Sequence, residues 1–587
     1  MGGSVLKGSR HYGSPAALAA VVIGLATGIA DAAFMVFVLG GTWKIPYLHP
    51  YYWLVVPFLW TTILVGVALV FSLPLLRRIL IPALVVSGPG LLLLSRGAAI
   101  LRDNGVEKTS TVVGLWCLVM AVLVGAATRF FEVRPFAPSR WTVAVAGACL
   151  VATAGIFSLA SNRTVENRVA TASKNGGPNI ILVFLDTVRF DDTDLDGDGT
   201  ATPSIDRFAT QSTEFDNAWA PAPWTLPSHS AVFTGVDPWR TKIGVPTLAE
   251  HLSRAGYDTA AVFANPLLNP SVDFSRGIQH MTYSISSAPC QSAIGHLLLR
   301  MHEYGVLGPR ICGWMIANEV TKRAQHYIDN APRPYFLAVN YFDAHIPYYV
   351  PEACSDIKYD PYRRSDLAAA EVIERTRIPL PQDASDRLKN QHRAALQCLD
   401  RSLGSLIDSI QQQPDYKNTV VAILADHGEQ FGKHFRFGHG NSLYRQVLHV
   451  PLLLRFPGRT PSRNNDAVTI TDLFGTFLQA AHIDRTPHFD LTLFDPAQRR
   501  PALAEYIDGP PGTQSFSAAD DRHHLIMKLN QDQEFYDYQI DPLENSPLND
   551  PARRQASDLH DELRKVKSEW DGTRHDIPAF RGLGYLE

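Results

Sequence analysis

The chain has 587 residues, of which 19% are charged, and a formal net charge of −4 at pH 7. A chain longer than one ordinary domain predicts at least two structural units. The nearly neutral balance argues against nucleic acid as a partner, because such binding normally leaves a basic patch or stripe. Charged residues are sparse before residue 160 and frequent after it, which predicts one part in lipid and one part in water.

Five long apolar runs occupy the part that is poor in charge, at 16–39, 51–73, 79–94, 110–127 and 141–159. Each is near the roughly 20 residues that a helix needs to cross a bilayer. The sequence therefore predicts an α-helical membrane domain of five spans over residues 1–160. Lys and Arg residues are more numerous in the short loops on the side of the amino terminus, which favours a cytoplasmic amino terminus. An odd number of spans then predicts an integral, multi-pass membrane protein with the lipid bilayer as a partner and its remaining domain on the non-cytoplasmic side.

Residues 161–177 are polar and end in an Asn-Gly-Gly sequence, which predicts a linker. Four of the six cysteines lie beyond it. In an exported domain they could form two disulfides, or they could remain as buried free thiols, and the sequence leaves the pairing open. These cysteines are Cys290, Cys312, Cys354 and Cys398.

Three short apolar runs after the linker each end in an acidic residue. Continuous apolar runs are typical of parallel strands buried on both faces, and the carboxyl ends of such strands form the ligand-binding edge of an open α/β sheet. One terminal acid could merely cap a helix, whereas three together predict converging metal ligands. The acids, with the histidines that follow two of them, are Asp186, Asp343 with His345, and Asp426 with His427.

A Pro-Trp-Thr-Leu-Pro-Ser-His segment from Pro223 to His229 leads into an apolar, helical stretch. The hydroxyl of Thr225 would lie near the amino terminus of that helix, where backbone N–H groups and the helix dipole favour an anion. This is a suitable place for a nucleophile that attacks a phosphate or sulfate ester. A helix cap is the alternative interpretation of Thr225.

These motifs, together with Gly-His-Gly around His439 and the tail from Phe535 to Glu544, resemble the sulfatase family of the alkaline phosphatase superfamily in order and spacing. The resemblance covers about residues 178–570. It implies an α/β catalytic domain over 178–480, with an alkaline-phosphatase-like, mostly parallel central sheet flanked by helices, and a small α+β subdomain over 481–587 that completes it. Five spans before such a domain also resemble the lipid-dependent phosphoethanolamine and phosphoglycerol transferases of bacterial envelopes.

The resemblance implies that Asp186, Asp426 and His427 bind a divalent metal, and that Thr225 is the nucleophile and also contacts this metal. A mixed set of carboxylate, imidazole and hydroxyl ligands favours zinc or manganese over calcium or magnesium, which prefer shells of oxygen. Thr187 replaces the second aspartate of the calcium-binding sulfatases, which again favours a different metal.

Four further residues are implied to lie around the substrate, namely His229, Asp343, His345 and His439. His345 and His439 could hold the oxyanion of the substrate, protonate the leaving oxygen, or bind a second metal together with Asp343. Substrate binding is the preferred interpretation. His229 stands where typical sulfatases have arginine.

Typical sulfatases have Cys or Ser, converted to formylglycine, where this chain has Thr225. Threonine cannot form formylglycine, so a second nucleophile must resolve the covalent intermediate. The favoured prediction is phospho-group transfer at the cell envelope, from an ester that could be lipid- or glycan-linked. Hydrolysis of a sulfate or phosphate ester, with water as the acceptor, is the alternative. A catalytically silent membrane scaffold is a third interpretation, disfavoured because no predicted ligand or nucleophile is missing.

Overall fold

The computed structural model describes residues 164–166, 177–197, 201–240, 244–270, 274–284, 315–483, 492–495, 500–506, 514–529, 532–548 and 557–573. The five apolar runs, Cys290 and Cys312 lie outside these residues. Among the described residues, no helix has the length and apolar character needed to cross a bilayer. This finding corrects the predicted integral, multi-pass localisation, and the amino-terminal membrane domain is left without support. An apolar run of suitable length is a weak criterion for a span, because burial inside protein favours apolar residues as well.

The described part of the chain contains the strands and the helices of an α/β fold. The strands are β1 (Thr164–Glu166), β2 (Asn179–Leu185), β3 (Thr213–Phe215), β4 (Ala218–Trp219), β5 (Asp258–Phe263), β6 (His280–Tyr283), β7 (Tyr335–Tyr341), β8 (Thr419–Ala425), β9 (Gln430–Phe431), β10 (Phe437–Gly438), β11 (His449–Val450), β12 (Leu452–Arg455), β13 (Ser462–Asn464), β14 (Val468–Thr469), β15 (Ala502–Tyr506), β16 (Ser515–Ala519), β17 (His523–Lys528) and β18 (Gln533–Asp537). The α-helices are α1 (Pro203–Ala209), α2 (Thr225–Thr234), α3 (Leu248–Arg254), α4 (Ala317–Asn330), α5 (Arg364–Thr376), α6 (Gln382–Gln412), α7 (Arg445–Leu448), α8 (Leu473–Ala480) and α9 (Ser557–Thr573).

The largest described sheet is mixed and mostly parallel, with the strand order β1-β6-β5-β7-β2-β8-β12-β3-β13. Strands β6, β5, β7, β2 and β8 pair in parallel, and β12 runs antiparallel to β8 and β3. This arrangement confirms the predicted α/β architecture. Strand β1 lies in the segment predicted as a linker and pairs antiparallel with β6.

Strands β2, β7 and β8 are buried at every position, which explains why their sequences are apolar without alternation. In the parallel register, Leu185 lies opposite both Tyr341 and Ala425. The residues that follow these three positions therefore share one edge of the sheet. That edge holds the candidate site.

A second, antiparallel sheet follows in the chain, in the order β15-β16-β17-β18. Helix α9 packs on it through Leu559, Leu563 and Trp570, which contact a buried cluster that includes Phe516 and Leu525. An antiparallel sheet with one apolar face needs such a cover, because that face would otherwise be exposed to water.

A disulfide joins Cys354 to Cys398, with 5.9 Å between their Cα atoms. It links the loop after β7 to the long helix α6, and it packs against Ile357 and Ala394. The sequence leaves the pairing of the cysteines open, and the structure pairs these two with each other.

Candidate metal centre

Three predicted ligands converge at the carboxyl edge of the central sheet. Asp186 directly follows β2, and Asp426 and His427 directly follow β8. One ligand atom from each of the three side chains lies within 4.8 Å of the others, and all three residues are buried. The parallel pairing of β2 with β8 brings these side chains together, because it places the ends of both strands side by side.

The donor atoms of this group fit a divalent cation. His427 donates from Nδ1 to the carbonyl oxygen of Gly428 at 3.0 Å, which fixes the ring and leaves Nε2 as the free ligand atom. Among the described residues, no donor makes a hydrogen bond to Asp186 Oδ1 or Asp426 Oδ2. Buried carboxylate oxygens rarely lack a partner, so a bound cation would explain both.

The electrostatics of the group agree with this fit. Burial and the neighbouring carboxylate of Asp426 raise the pKa of Asp186 well above its ordinary value. Burial alone would raise the pKa of Asp426 too, but His427 and His229 outweigh it and lower that pKa to about 2. Burial lowers the pKa of His427 to about 4, so the imidazole is neutral, as a metal ligand requires. A cation in this position would relieve the repulsion between the two carboxylates.

Two asparagines support Asp186, and neither was among the predicted site residues. Asn265 donates from Nδ2 to Asp186 Oδ2 at 2.8 Å and to Thr225 Oγ1 at 3.2 Å. Asn340, on β7, donates to the same oxygen of Asp186 at 3.3 Å. Asn265 lies two residues beyond the end of β5. The sequence signal for Asn265 is therefore an amide side chain just after an apolar run, which a search for acidic residues alone does not find.

Thr225 lies at the amino terminus of α2, beside the predicted ligands. Its Oγ1 lies 3.4 Å from His427 Nε2, and the residue is buried. Trp224 occupies the N-cap position, and Thr225 is the first helical residue. The threonine therefore does not act as the helix cap, which was the alternative interpretation of this residue.

His229 lies one helical turn after Thr225 and is fully buried. Its Nδ1 donates to the carbonyl oxygen of Thr225 at 3.0 Å and lies 3.4 Å from Asp426 Oδ2. The ring packs against Phe184, with 4.0 Å between the centroids. The structure thus places His229 in the core, next to the predicted ligand Asp426.

His345 and His439 lie next to one another and to the predicted metal ligands. The ring centroid of His439 is 4.8 Å from that of His345 and 4.5 Å from that of His427. Glu429 accepts from His439 Nδ1 at 3.1 Å and from the hydroxyl of Tyr348 at 3.3 Å. Burial lowers the pKa of His345 to about 3. Burial acts on His439 as well, but Glu429 outweighs it and raises the pKa of His439.

Asp343 is buried, and its Oδ1 accepts from the backbone N–H of Ala317 at 3.1 Å. This bond lies at the start of α4, where unpaired N–H groups favour an acidic partner. Within the part of the chain that the structure describes, Asp186, Asp426 and His427 form the one group of three or more ligating side chains. A second metal at Asp343, His345 and His439 stays a prediction.

Comparison with known proteins shows that this chain is similar to sulfatases and, in its fold, to a phosphonate monoester hydrolase. The family model described as sulfatase matches residues 178–483. A sulfatase of Formosa agariphila is 23% identical, over 67% of this chain and 88% of that protein. A choline-sulfatase of Rhizobium meliloti is 23% identical, over 64% of this chain and 83% of that protein. The solved structure of the phosphonate monoester hydrolase of Agrobacterium radiobacter matches with a TM-score of 0.51 and 16% identity, over 68% of this chain and 96% of that chain.

Proposed function

Since this chain belongs to the sulfatase family, we propose that Thr225 is the nucleophile of a metal-dependent reaction on a phosphate or sulfate ester. The predicted class of enzyme is confirmed, because the relatives of this chain are hydrolases of sulfate esters. The nucleophile, the acceptor and the metal are the parts that we add. Phospho-group transfer is the reaction that we favour.

One observation carries the proposal, namely the position of the Thr225 hydroxyl. It lies at a helix amino terminus, accepts a hydrogen bond from Asn265 at 3.2 Å and lies 3.4 Å from His427. The helix dipole and the N–H groups of the first turn favour the negative charge of an ester at this point. A hydroxyl placed beside an anion site and a cation site suits attack on phosphorus or sulfur.

In the proposed first step, Thr225 Oγ1 forms a bond to phosphorus or sulfur, its proton passes to solvent, and the bond to the leaving oxygen breaks. His439 donates a proton to the leaving oxygen, since Glu429 favours the protonated imidazole. A divalent metal held by Asp186, Asp426 and His427 would favour the ionised hydroxyl and offset the charge on the transferred group. In the second step, the oxygen of an acceptor hydroxyl forms a bond to phosphorus or sulfur and its proton passes to His439. The bond to Thr225 Oγ1 breaks, and Thr225 Oγ1 regains a proton from solvent.

The case for transfer of a phospho group rests on the chemistry of threonine. Formylglycine releases sulfate by collapse of an aldehyde hydrate, and threonine has no such route. A covalent phosphothreonine must instead be resolved by a second nucleophile, and an alcohol and water compete for that role. The predicted lipid- or glycan-linked ester fits an alcohol acceptor and stays a prediction.

The full chain, loaded with Zn²⁺ or Mn²⁺, should be assayed on bis-(para-nitrophenyl) phosphate, para-nitrophenyl phosphate and para-nitrophenyl sulfate. We expect turnover of the phosphodiester and a phospho adduct on Thr225, detected by intact-protein and peptide mass spectrometry. Thr225→Ala should lower kcat by at least about a thousandfold. Thr225→Ser is the matched control, because it keeps a hydroxyl at the same atom position. Its intact mass is checked first, since serine, unlike threonine, can be converted to formylglycine.

Several outcomes would decide between the alternatives. With the phosphodiester, glycerol or ethanolamine added as acceptor should yield more of the acceptor's para-nitrophenyl phosphodiester than para-nitrophenyl phosphate if transfer dominates, whereas para-nitrophenyl phosphate alone would favour the hydrolase. Turnover by Thr225→Ala at the rate of the unaltered chain, on whichever of the three substrates the unaltered chain turns over, would overturn the assignment of the nucleophile.

A further inference from the structure

Thr187 has an unusual backbone conformation next to the candidate metal centre. It follows the predicted ligand Asp186 and has a φ of +62°, in the left-handed region that a β-branched residue rarely adopts. In this conformation its backbone N–H donates to Asp426 Oδ1 at 3.3 Å. Thr187 therefore joins two predicted ligands, and the conformation that allows this costs free energy.

His392, on α6, makes the hydrogen bond that opposes a return of Thr187 to ordinary backbone geometry. Its Nε2 donates to the carbonyl oxygen of Thr187 at 3.1 Å, and the residue is fully buried. The ring is fixed between Tyr348 and Phe431, whose ring centroids lie 5.4 Å and 5.3 Å away. A change of φ and ψ at Thr187 would move its carbonyl oxygen away from this donor.

The segment of α6 that carries His392 is also fixed to the loop after β2. Asp192, in that loop, is fully buried and lies 3.5 Å from Lys389 Nζ and 3.7 Å from Arg393 Nε. Both cations are on α6, three residues before and one residue after His392. The second ring nitrogen of His392, Nδ1, lies 3.5 Å from Asp192 Oδ2. These contacts hold the imidazole at a constant distance from Thr187.

We propose that His392 is a positioning residue of the metal centre, which acts through its hydrogen bond to the Thr187 carbonyl. The bond maintains the left-handed backbone of Thr187, and this backbone fixes the chain at Asp186 and holds the Thr187 N–H against Asp426 Oδ1. The inference rests on the proposed function, since it assumes that Asp186, Asp426 and His427 hold a metal. Outer groups of this kind commonly alter metal affinity by 10–100-fold, as an order of magnitude.

The test compares two substitutions, one that keeps the ring of His392 and one that keeps its hydrogen-bond donor. His392→Phe keeps a ring in the same pocket but has no donor, whereas His392→Gln keeps an N–H donor at a similar distance from the backbone. The metal-free full chain of each variant is titrated with Zn²⁺ against a chelating dye. We expect about tenfold weaker binding for His392→Phe, and binding within about threefold of the unaltered chain for His392→Gln.

A second pair of variants keeps the test decisive if His392→Phe folds poorly. Glycine adopts a positive φ at little cost, so Thr187→Gly should reduce the need for His392. Because glycine keeps the left-handed backbone without His392, Thr187→Gly/His392→Phe is expected to bind Zn²⁺ within about threefold of Thr187→Gly alone, and a roughly tenfold loss would overturn the inference.

The outcomes separate this inference from the proposed function. If the unaltered chain binds neither Zn²⁺ nor Mn²⁺, the metal chemistry fails and the inference fails with it. If the unaltered chain binds metal and His392→Phe binds it equally well, the inference alone is overturned. Equal losses for His392→Phe and His392→Gln would also overturn it, because the donor would then not be the property that matters.

Discussion

Asn265 connects the two parts of the proposed chemistry at the level of single residues. Its amide donates to Asp186, a predicted ligand, at 2.8 Å and to Thr225, the proposed nucleophile, at 3.2 Å. Asn265→Ala should lower kcat by about 10–100-fold, because both oxygens lose the donor that orients them. Asn265→Asp, of nearly equal size, should lose at least as much, since it adds a negative charge beside Asp186. Steady-state rates on the phosphodiester substrate measure both effects.

The control for this prediction is Asn330→Ala. Asn330 is an exposed asparagine at the end of α4 whose amide bonds only to a backbone carbonyl among the contacts described. It should leave kcat within about twofold of the unaltered chain. A rate for Asn265→Ala equal to that of the control would remove Asn265 from the site.

Residues of the site differ in how far the sequence could identify them. Asp186 and Asp426 end apolar runs, and parallel strands bring such ends to one edge, so their proximity could be predicted. Asn265 ends a similar run but is neutral, and amides are common in turns for local reasons. His392 lies inside a long helix and reaches the site only through the tertiary fold, so no local pattern marks it.

At the level of elements, the disulfide between Cys354 and Cys398 cross-links the loop after β7 to α6. The two cysteines are separated by 44 positions, and the segment between them includes α5. Replacing both with alanine should lower the free energy of unfolding by about 2–4 kcal/mol, chiefly because the unfolded chain regains freedom. Thermal unfolding with and without dithiothreitol measures this loss.

The doubly substituted chain also serves as the control for the reductant. Dithiothreitol should lower the Tm of the unaltered chain toward that of the double alanine variant and leave the variant itself unchanged. A Tm that does not respond to dithiothreitol in the unaltered chain would show that this disulfide does not contribute to stability in solution.

The elements also show which sequence rule succeeded and which failed. Apolar runs that each end in an acidic residue identified β2, β7 and β8, because strands buried on both faces need mostly apolar residues. The prediction of an integral, multi-pass membrane protein was wrong, because it relied on apolar length, and among the described residues no helix suits a bilayer. Strand β1 was missed because a short edge strand that pairs on one side only can have a polar sequence.

At the scale of the whole molecule, the antiparallel sheet is connected to the candidate metal centre through Glu544. This residue is fully buried, and its Oε1 lies 2.6 Å from His524 Nδ1, on β17. Its Oε2 accepts from the backbone N–H of Arg445, the first residue of α7, at 2.7 Å. The carbonyl oxygen of Val447, on α7, accepts in turn from the N–H of Gly428 at 2.7 Å.

Gly428 is the neighbour of His427 in the chain, and α7 fits closely against it. A Cβ atom at Gly428 would lie 2.2 Å from the carbonyl oxygen of Gln446, so this contact allows no side chain. A displacement of α7 must therefore move the backbone that carries His427. The antiparallel sheet thus contributes to the geometry of the site through one carboxylate and one short helix.

Glu544→Ala tests this connection. It should destabilise the protein by about 3 kcal/mol, because His524 and the Arg445 N–H both lose a buried charged acceptor. It should also weaken Zn²⁺ binding several-fold, since α7 no longer has a fixed position behind Gly428. Asn545→Ala, at an exposed neighbouring position, is the control and should change neither property. Calorimetric titration with Zn²⁺ and thermal unfolding of the metal-free chain measure the two effects separately. A lower Tm with unchanged affinity for Zn²⁺ would mean that Glu544 only stabilises the fold, and that the metal centre keeps its geometry without the antiparallel sheet.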